Sequence, residues 1–265
     1  MRKLLLILFT LLLFSCNKKS DQKVPQNIET SENALSQNKN ATTSKTKTSL
    51  DLSSSWRLQS TDLGKSGISN INSFNDITKL LNTEQLNKIS IITITTGEIQ
   101  SYSGIENFNN LKILDLSNIS IKIDESLFFS AAYGYENPEN KRNPCLLINN
   151  CTINSLDGLK SSNTLKSLAI YNSAFPYEYT LKLPDSLIYL KLNSINNVYK
   201  LIKDSSLTNL EILNLSNSNI LSSELIDLIN KCPNLKRVCI RNSGVNEENL
   251  PESIRQLLAG EDEYF

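Results

Sequence analysis

The chain has 265 residues, its 27 Lys and Arg balance 27 Asp and Glu to a formal net charge of zero, and it contains no histidine. Without histidine there is no Ser-His or Cys-His nucleophilic pair, no imidazole base and no imidazole metal ligand; a zero balance also lacks the basic surface that nucleic acid requires. Acidic residues are scattered and no glycine-rich phosphate loop occurs, so the expectation is a non-enzyme without metal or cofactor.

Arg2 and Lys3 precede an apolar run from Leu4 to Phe14, and Leu13-Phe14-Ser15-Cys16 closes it. The run is too short for a comfortable membrane span. Its last four residues resemble the lipobox of bacterial lipoproteins. The resemblance implies cleavage before Cys16 and lipidation of its thiol and amine; an ordinary signal peptide with a chance cysteine is the alternative. Residues 1–15 are then a signal peptide and Cys16 the lipidated first residue of the mature chain. The implied location is the bacterial cell envelope, on the outer membrane or cell surface rather than the inner membrane. Residues 16–50 are mostly Asn, Ser, Thr, Lys and Gln, too polar to offset the entropy of ordering. They are expected to form a tether with a reach of about 30 Å.

Residues 51–88 are expected to cap the domain that follows. Phe74, Ile77, Leu80 and Leu81 share one helical face, with Ser73 as its N-cap. From Ile89 an apolar phrase recurs, its first slot at Ile89, Leu111, Asn143, Leu165, Leu187, Leu210 and Leu235, at intervals of 22, 32, 22, 22, 23 and 25 residues. A period of this size belongs to stacked supersecondary units. Each phrase contains an alternating run, such as Leu114-Asp115-Leu116 or Leu190-Lys191-Leu192, that predicts a short strand. One unit cannot bury its own apolar face, so each must lie against the next. Glu224, Leu225, Leu228 and Ile229 predict a helix ended by Pro233, whereas the stretch opened by Pro184 predicts an extended connection. Leu250-Pro251-Glu252-Ser253 begins a C-terminal cap and acidic tail over 251–265.

The phrase resembles the leucine-rich repeat family. The resemblance implies an α/β solenoid over 89–250, a curved horseshoe with a parallel sheet on the concave face and short helices or extended segments on the convex face. Family members usually place asparagine three residues after the last leucine. Here Asn118, Asn150, Asn172, Asn217 and Asn242 come two residues after it, while Ile119, Cys151, Ser173, Ser218 and Ser243 hold the usual place. The family's internal asparagine ladder is therefore not expected.

The register sends Thr93, Asp115, Ser167, Tyr171, Tyr189, Lys191, Asn193, Asn214, Arg237 and Arg241 to the outward face of the sheet. Asp115, Tyr171, Tyr189, Lys191, Asn193, Arg237 and Arg241 are candidate partner contacts, with Tyr171 and Tyr189 expected to form one aromatic platform and the arginines a cationic edge. The long interval adds ten residues to the 22-residue interval. It holds Phe128 and Phe129, expected to pack inward, and Tyr133 and Tyr135, candidates for a binding loop. Cys151 and Cys232 are expected in the core and Cys145 and Cys239 on the outward face, about 20 Å apart and beyond disulfide reach; free thiols are expected.

The functional expectation is a monomeric, membrane-anchored lipoprotein that binds another macromolecule, a protein above all, through a rigid surface. Two alternatives stand beside it. One is a structural or housekeeping lipoprotein of the envelope, the other an inhibitor or immunity protein that blocks an enzyme.

Overall fold

The computed structural model describes residues 56–130 and 144–259. Cys16, Tyr133 and Tyr135 lie outside them, as do the signal-peptide and tether segments. Ten short strands appear in chain order: β1 (Arg57–Gln59), β2 (Ile91–Ile94), β3 (Ile113–Ser117), β4 (Ser120–Lys122), β5 (Leu146–Asn149), β6 (Thr152–Ser155), β7 (Ser167–Tyr171), β8 (Tyr189–Asn193), β9 (Ile212–Asn214) and β10 (Arg237–Cys239). Eight of them form one open parallel sheet in the order β1-β2-β3-β5-β7-β8-β9-β10. β4 and β6 form a separate parallel pair.

Side chains alternate across each strand, and the register puts like on like. Ile92, Leu114, Leu146, Leu168, Leu190, Leu213 and Val238 align across seven strands, all buried in one continuous core. Each buried aliphatic side chain contributes about 1.5–3 kcal/mol, so the row is a major source of stability.

Between and after the strands the described residues form six short helices: α1 (Ser60–Lys65), α2 (Phe74–Thr78), α3 (Thr83–Lys88), α4 (Val198–Ile202), α5 (Ser222–Asn230) and α6 (Glu252–Arg255). In α5, Leu225, Leu228 and Ile229 are buried as their spacing predicts, and the Glu224 carboxylate accepts from the Leu221 N–H at 2.9 Å. At α2 the Ser73 hydroxyl accepts from the Asn75 N–H at 3.2 Å, and Phe74 stacks on Tyr102 with ring centroids 5.8 Å apart. The Tyr102 hydroxyl is buried without a hydrogen-bond partner, and burial pushes its ionisation far above the ordinary phenol range.

The N-terminal region does more than cap the sheet: Arg57–Gln59 adds a strand to it, pairing with Ile91–Thr93. At the other end, Leu258 bridges Val238, with the Val238 N–H donating to the Leu257 carbonyl at 2.8 Å and the Ala259 N–H to the Val238 carbonyl at 2.9 Å. That segment covers the edge of β10. Phe129 is buried but Phe128 is 40% exposed, so only one of the adjacent aromatics packs inward.

Each of the five offset asparagines takes positive φ, from 48° at Asn172 to 59° at Asn118, and Ser194 takes 56° at the equivalent point. Asparagine is among the few residues other than glycine that enter this region routinely, which explains the constant offset. Their amides pair across neighbouring units: Asn150 donates to Asn118 at 2.8 Å and Asn242 to Asn217 at 3.1 Å, whereas Asn172 donates to Asn149 at 3.5 Å and Asn217 to Asn193 at 3.4 Å. At the following position, serine hydroxyls satisfy backbone groups of the turn. Ser218 accepts from the Ile195 N–H at 2.9 Å and donates to the Leu192 carbonyl at 2.8 Å, while Ser173 accepts from the Cys151 N–H at 3.1 Å.

Candidate functional site

The sheet face turned away from the leucine row carries the candidate contacts in three register rows. The first contains Arg57, Ile91, Ile113, Ser167, Tyr189, Ile212 and Arg237. A second holds Thr93, Asp115, Leu147, Ala169, Lys191, Asn214 and Cys239. The third holds Ser117, Asn149, Tyr171 and Asn193.

The rows separate residues that sequence spacing had grouped. Tyr189 lies level with Ser167, four residues before Tyr171 along the strand direction, a stagger of about 13 Å. The two tyrosines therefore form no common platform. Tyr171 instead receives Lys191, whose Nζ sits 5.2 Å from its ring centroid, a cation–π geometry.

Exposure also departs from the expectation of an open face. Tyr189 is 1% and Lys191 4% exposed, and Ser167, Ala169 and Asn214 are fully buried. In the register, small Ser167 and Ala169 sit beside Tyr189 and Lys191. Asn214 is also engaged locally, its side-chain carbonyl accepting from the Ser216 N–H at 2.9 Å. Asp115, Tyr171, Asn193 and Arg237 are half-buried and Arg241 is exposed. Arg241 lies beyond the last residue of β10, and its carbonyl accepts from the Asn217 N–H at 2.8 Å.

Asp115 is the carboxylate of the second row. Burial raises its pKa, while the Ser117 hydroxyl, donating at 3.0 Å, and the charge of Arg57 pull it down. Arg57 also donates to the Thr93 hydroxyl through Nε at 3.3 Å and Nη2 at 3.0 Å. The result is a small polar network at the β1–β3 end, with arginines again at the β9–β10 end.

Sequence reasoning selected the polar members of this face and passed over its apolar ones. Ile91, Ile113, Leu147 and Ile212 stand in the first two rows, and all but Ile113 remain half-buried rather than covered. The signal was present, since these strands carry apolar residues at both parities rather than one.

Cys145, expected outward, belongs to the main core cluster. It follows Pro144 and precedes the first residue of β5, so strand alternation does not govern its direction. Its N–H donates to the Ser167 hydroxyl at 2.9 Å. All four cysteines among the described residues are buried and outside any disulfide. Burial pushes the thiols of Cys145 and Cys232 up to about 11 and raises that of Cys151, which keeps them protonated and poorly nucleophilic at neutral pH. Among the described residues no cluster of His, Cys, Asp or Glu is arranged to hold a metal ion, and no helix is long and apolar enough to cross a membrane. The chain matches no protein-family model, and no curated protein matches it either.

Proposed function

We propose that this protein is a leucine-rich-repeat solenoid, tethered to the bacterial envelope through a lipid on Cys16, whose outward sheet face binds a protein. The observation that carries the reading is the composition of that face. Half-buried Ile91, Leu147, Tyr171 and Ile212 supply apolar area, and Arg57, Arg237 and Arg241 supply guanidinium groups toward its two ends. A partner with an apolar patch bordered by carboxylates suits such a surface. The solenoid reading is supported by strands that pair in chain order at the spacing of the sequence repeat.

The test uses Tyr171 and Arg241, which reach the solvent. Tyr171→Ala together with Arg241→Ala is expected to weaken capture of the envelope partner by about 2 kcal/mol, as for interface anchors, without changing the far-ultraviolet circular dichroism. Capture unchanged by this pair but lost on replacing Tyr133 and Tyr135 would assign recognition to the long interval instead. Copurification of a soluble enzyme whose activity falls on binding would favour the inhibitor alternative.

The anchor is tested separately. Cys16→Ser is expected to move the protein from the detergent phase to the aqueous phase of a Triton X-114 partition, because a hydroxyl does not replace the lipid-accepting thiol. Retention in the detergent phase with unchanged mass would refute the lipid assignment.

A further inference from the structure

A second surface lies outside the sheet face, one residue beyond the positive-φ residues Asn172 and Ser194 that end β7 and β8. A cleft of about 240 Å³ opens there, lined by Phe175, Tyr177, Glu178, Tyr179, Asn197 and Lys200 among others. We infer that this cleft is a binding site for a neutral saccharide.

The aromatic side is built and held in place. Phe175 and Tyr179 stack with ring centroids 5.8 Å apart and planes 18° from parallel. The Tyr179 hydroxyl accepts from the Leu156 N–H at 2.7 Å and donates to the Asp157 carboxylate at 3.0 Å, so both capacities of that hydroxyl are used within the preceding unit and the ring is fixed. Tyr177 is the opposite case. It is 88% exposed, the highest exposure among the large apolar and aromatic side chains of the described residues, and nothing in the core requires an aromatic there. The next residue, Glu178, takes φ of 65°, an uncommon conformation for a glutamate. The turn thereby places Tyr177 and Glu178 together at the mouth of the cleft.

The remaining lining selects the ligand class. Glu178 and Lys200 are of opposite charge, so the cleft favours neither anions nor cations. Asn196 and Asn197 are exposed, and an amide both donates and accepts. A ligand suited to this set needs an apolar face to lie against Tyr177 and a rim of groups that both donate and accept. A sugar ring has both: its axial C–H bonds form an apolar face and its hydroxyls surround it. The cleft is smaller than the usual pocket for a drug-sized molecule, about 300–1,000 Å³, and its size suits a ring or two of a longer chain. Affinity is expected to be weak for a single ring, because few ligand atoms contribute.

The experiment is isothermal titration calorimetry of the full chain with four tetrasaccharides: cellotetraose, chitotetraose, maltotetraose and the anionic tetragalacturonate. At least one neutral probe is expected to bind, with affinity insensitive to salt, and Tyr177→Ala is expected to weaken it about tenfold or more. Tyr177 makes no core contact, so that variant should fold; an unchanged melting temperature checks this. Tyr171→Ala, on the sheet face, is expected to leave saccharide binding unchanged. Absence of binding by all three neutral probes, tighter binding of tetragalacturonate than of any of them, or binding that survives Tyr177→Ala overturns the assignment. Loss through Tyr171→Ala alone would also overturn it, placing the sugar on the sheet face. None of these outcomes bears on whether that face binds a protein.

Discussion

Leu190→Asp is expected to abolish cooperative folding. Leu190 is fully buried and aligned with Leu168 on one side and Leu213 on the other, so a carboxylate there has apolar neighbours on adjoining strands. An unpaired buried charge together with the lost aliphatic contacts costs several kcal/mol, against a total stability of about 5–15 kcal/mol for an ordinary domain. Leu190→Ala removes packing without adding charge and should cost about 2–5 kcal/mol. Urea titration followed by circular dichroism distinguishes them: the alanine variant retains a sigmoidal transition at lower urea, and the aspartate variant shows none. A wild-type midpoint for Leu190→Asp would mean that the leucine row does not face the core.

Gly158→Ala is also expected to destabilise, through contact rather than polarity. A Cβ at this position would lie 2.3 Å from the Glu125 carbonyl oxygen and 2.6 Å from the Asp124 carbonyl carbon. Both are backbone atoms and cannot swing aside. The Gly158 N–H donates to the Ile123 carbonyl at 2.9 Å, and Glu125 accepts from the Ser101 hydroxyl at 2.6 Å, so neither side of the contact yields without losing a hydrogen bond. Overpacking of this kind costs about 1–3 kcal/mol or more. Gly64→Ala is the internal comparison. No atom lies within 4 Å of its Cβ position, and it sits within α1, where alanine is favoured over glycine by about 0.5–1 kcal/mol. Thermal melts of the two variants should shift in opposite directions; a common direction would contradict the close approach at Gly158.

The strands and their facing were legible because both depend on period, and the repeats supply the same period several times over. Helix α5 and the Ser73 cap were legible for the same local reasons, spacing and capping chemistry. The offset asparagines were visible as a pattern, but their meaning needed φ: the pattern records a positive-φ position, not an internal amide. Three features escaped because they depend on what surrounds a residue. Alternation gives the facing of Tyr189 and Lys191 but not their burial. It also stops at the strand boundary, which left Cys145 misassigned. Arg57–Gln59 carries no repeat phrase, so its place in the sheet depends on an edge at Ile91–Thr93 that local sequence does not reveal. The Tyr177 cleft was missed for a related reason: its residues come from two successive connections, where no period brings them into view.

Each strand of the large sheet pairs with the strand of that sheet that precedes or follows it in the chain. Contacts thus run mainly from one repeat to the next, and the two ends of the sheet are linked through each intervening strand. An opening fluctuation at β1 has one strand to peel before it meets β2, and one at β10 must first release Leu257–Ala259. Amide protons of β5, β7 and β8, flanked on both sides, are then the last to reach water, and protection against solvent exchange declines toward either end as in a stack opened from its outer members. The Tyr177 cleft follows β7 and β8, so its scaffold belongs to the part of the molecule that opens least.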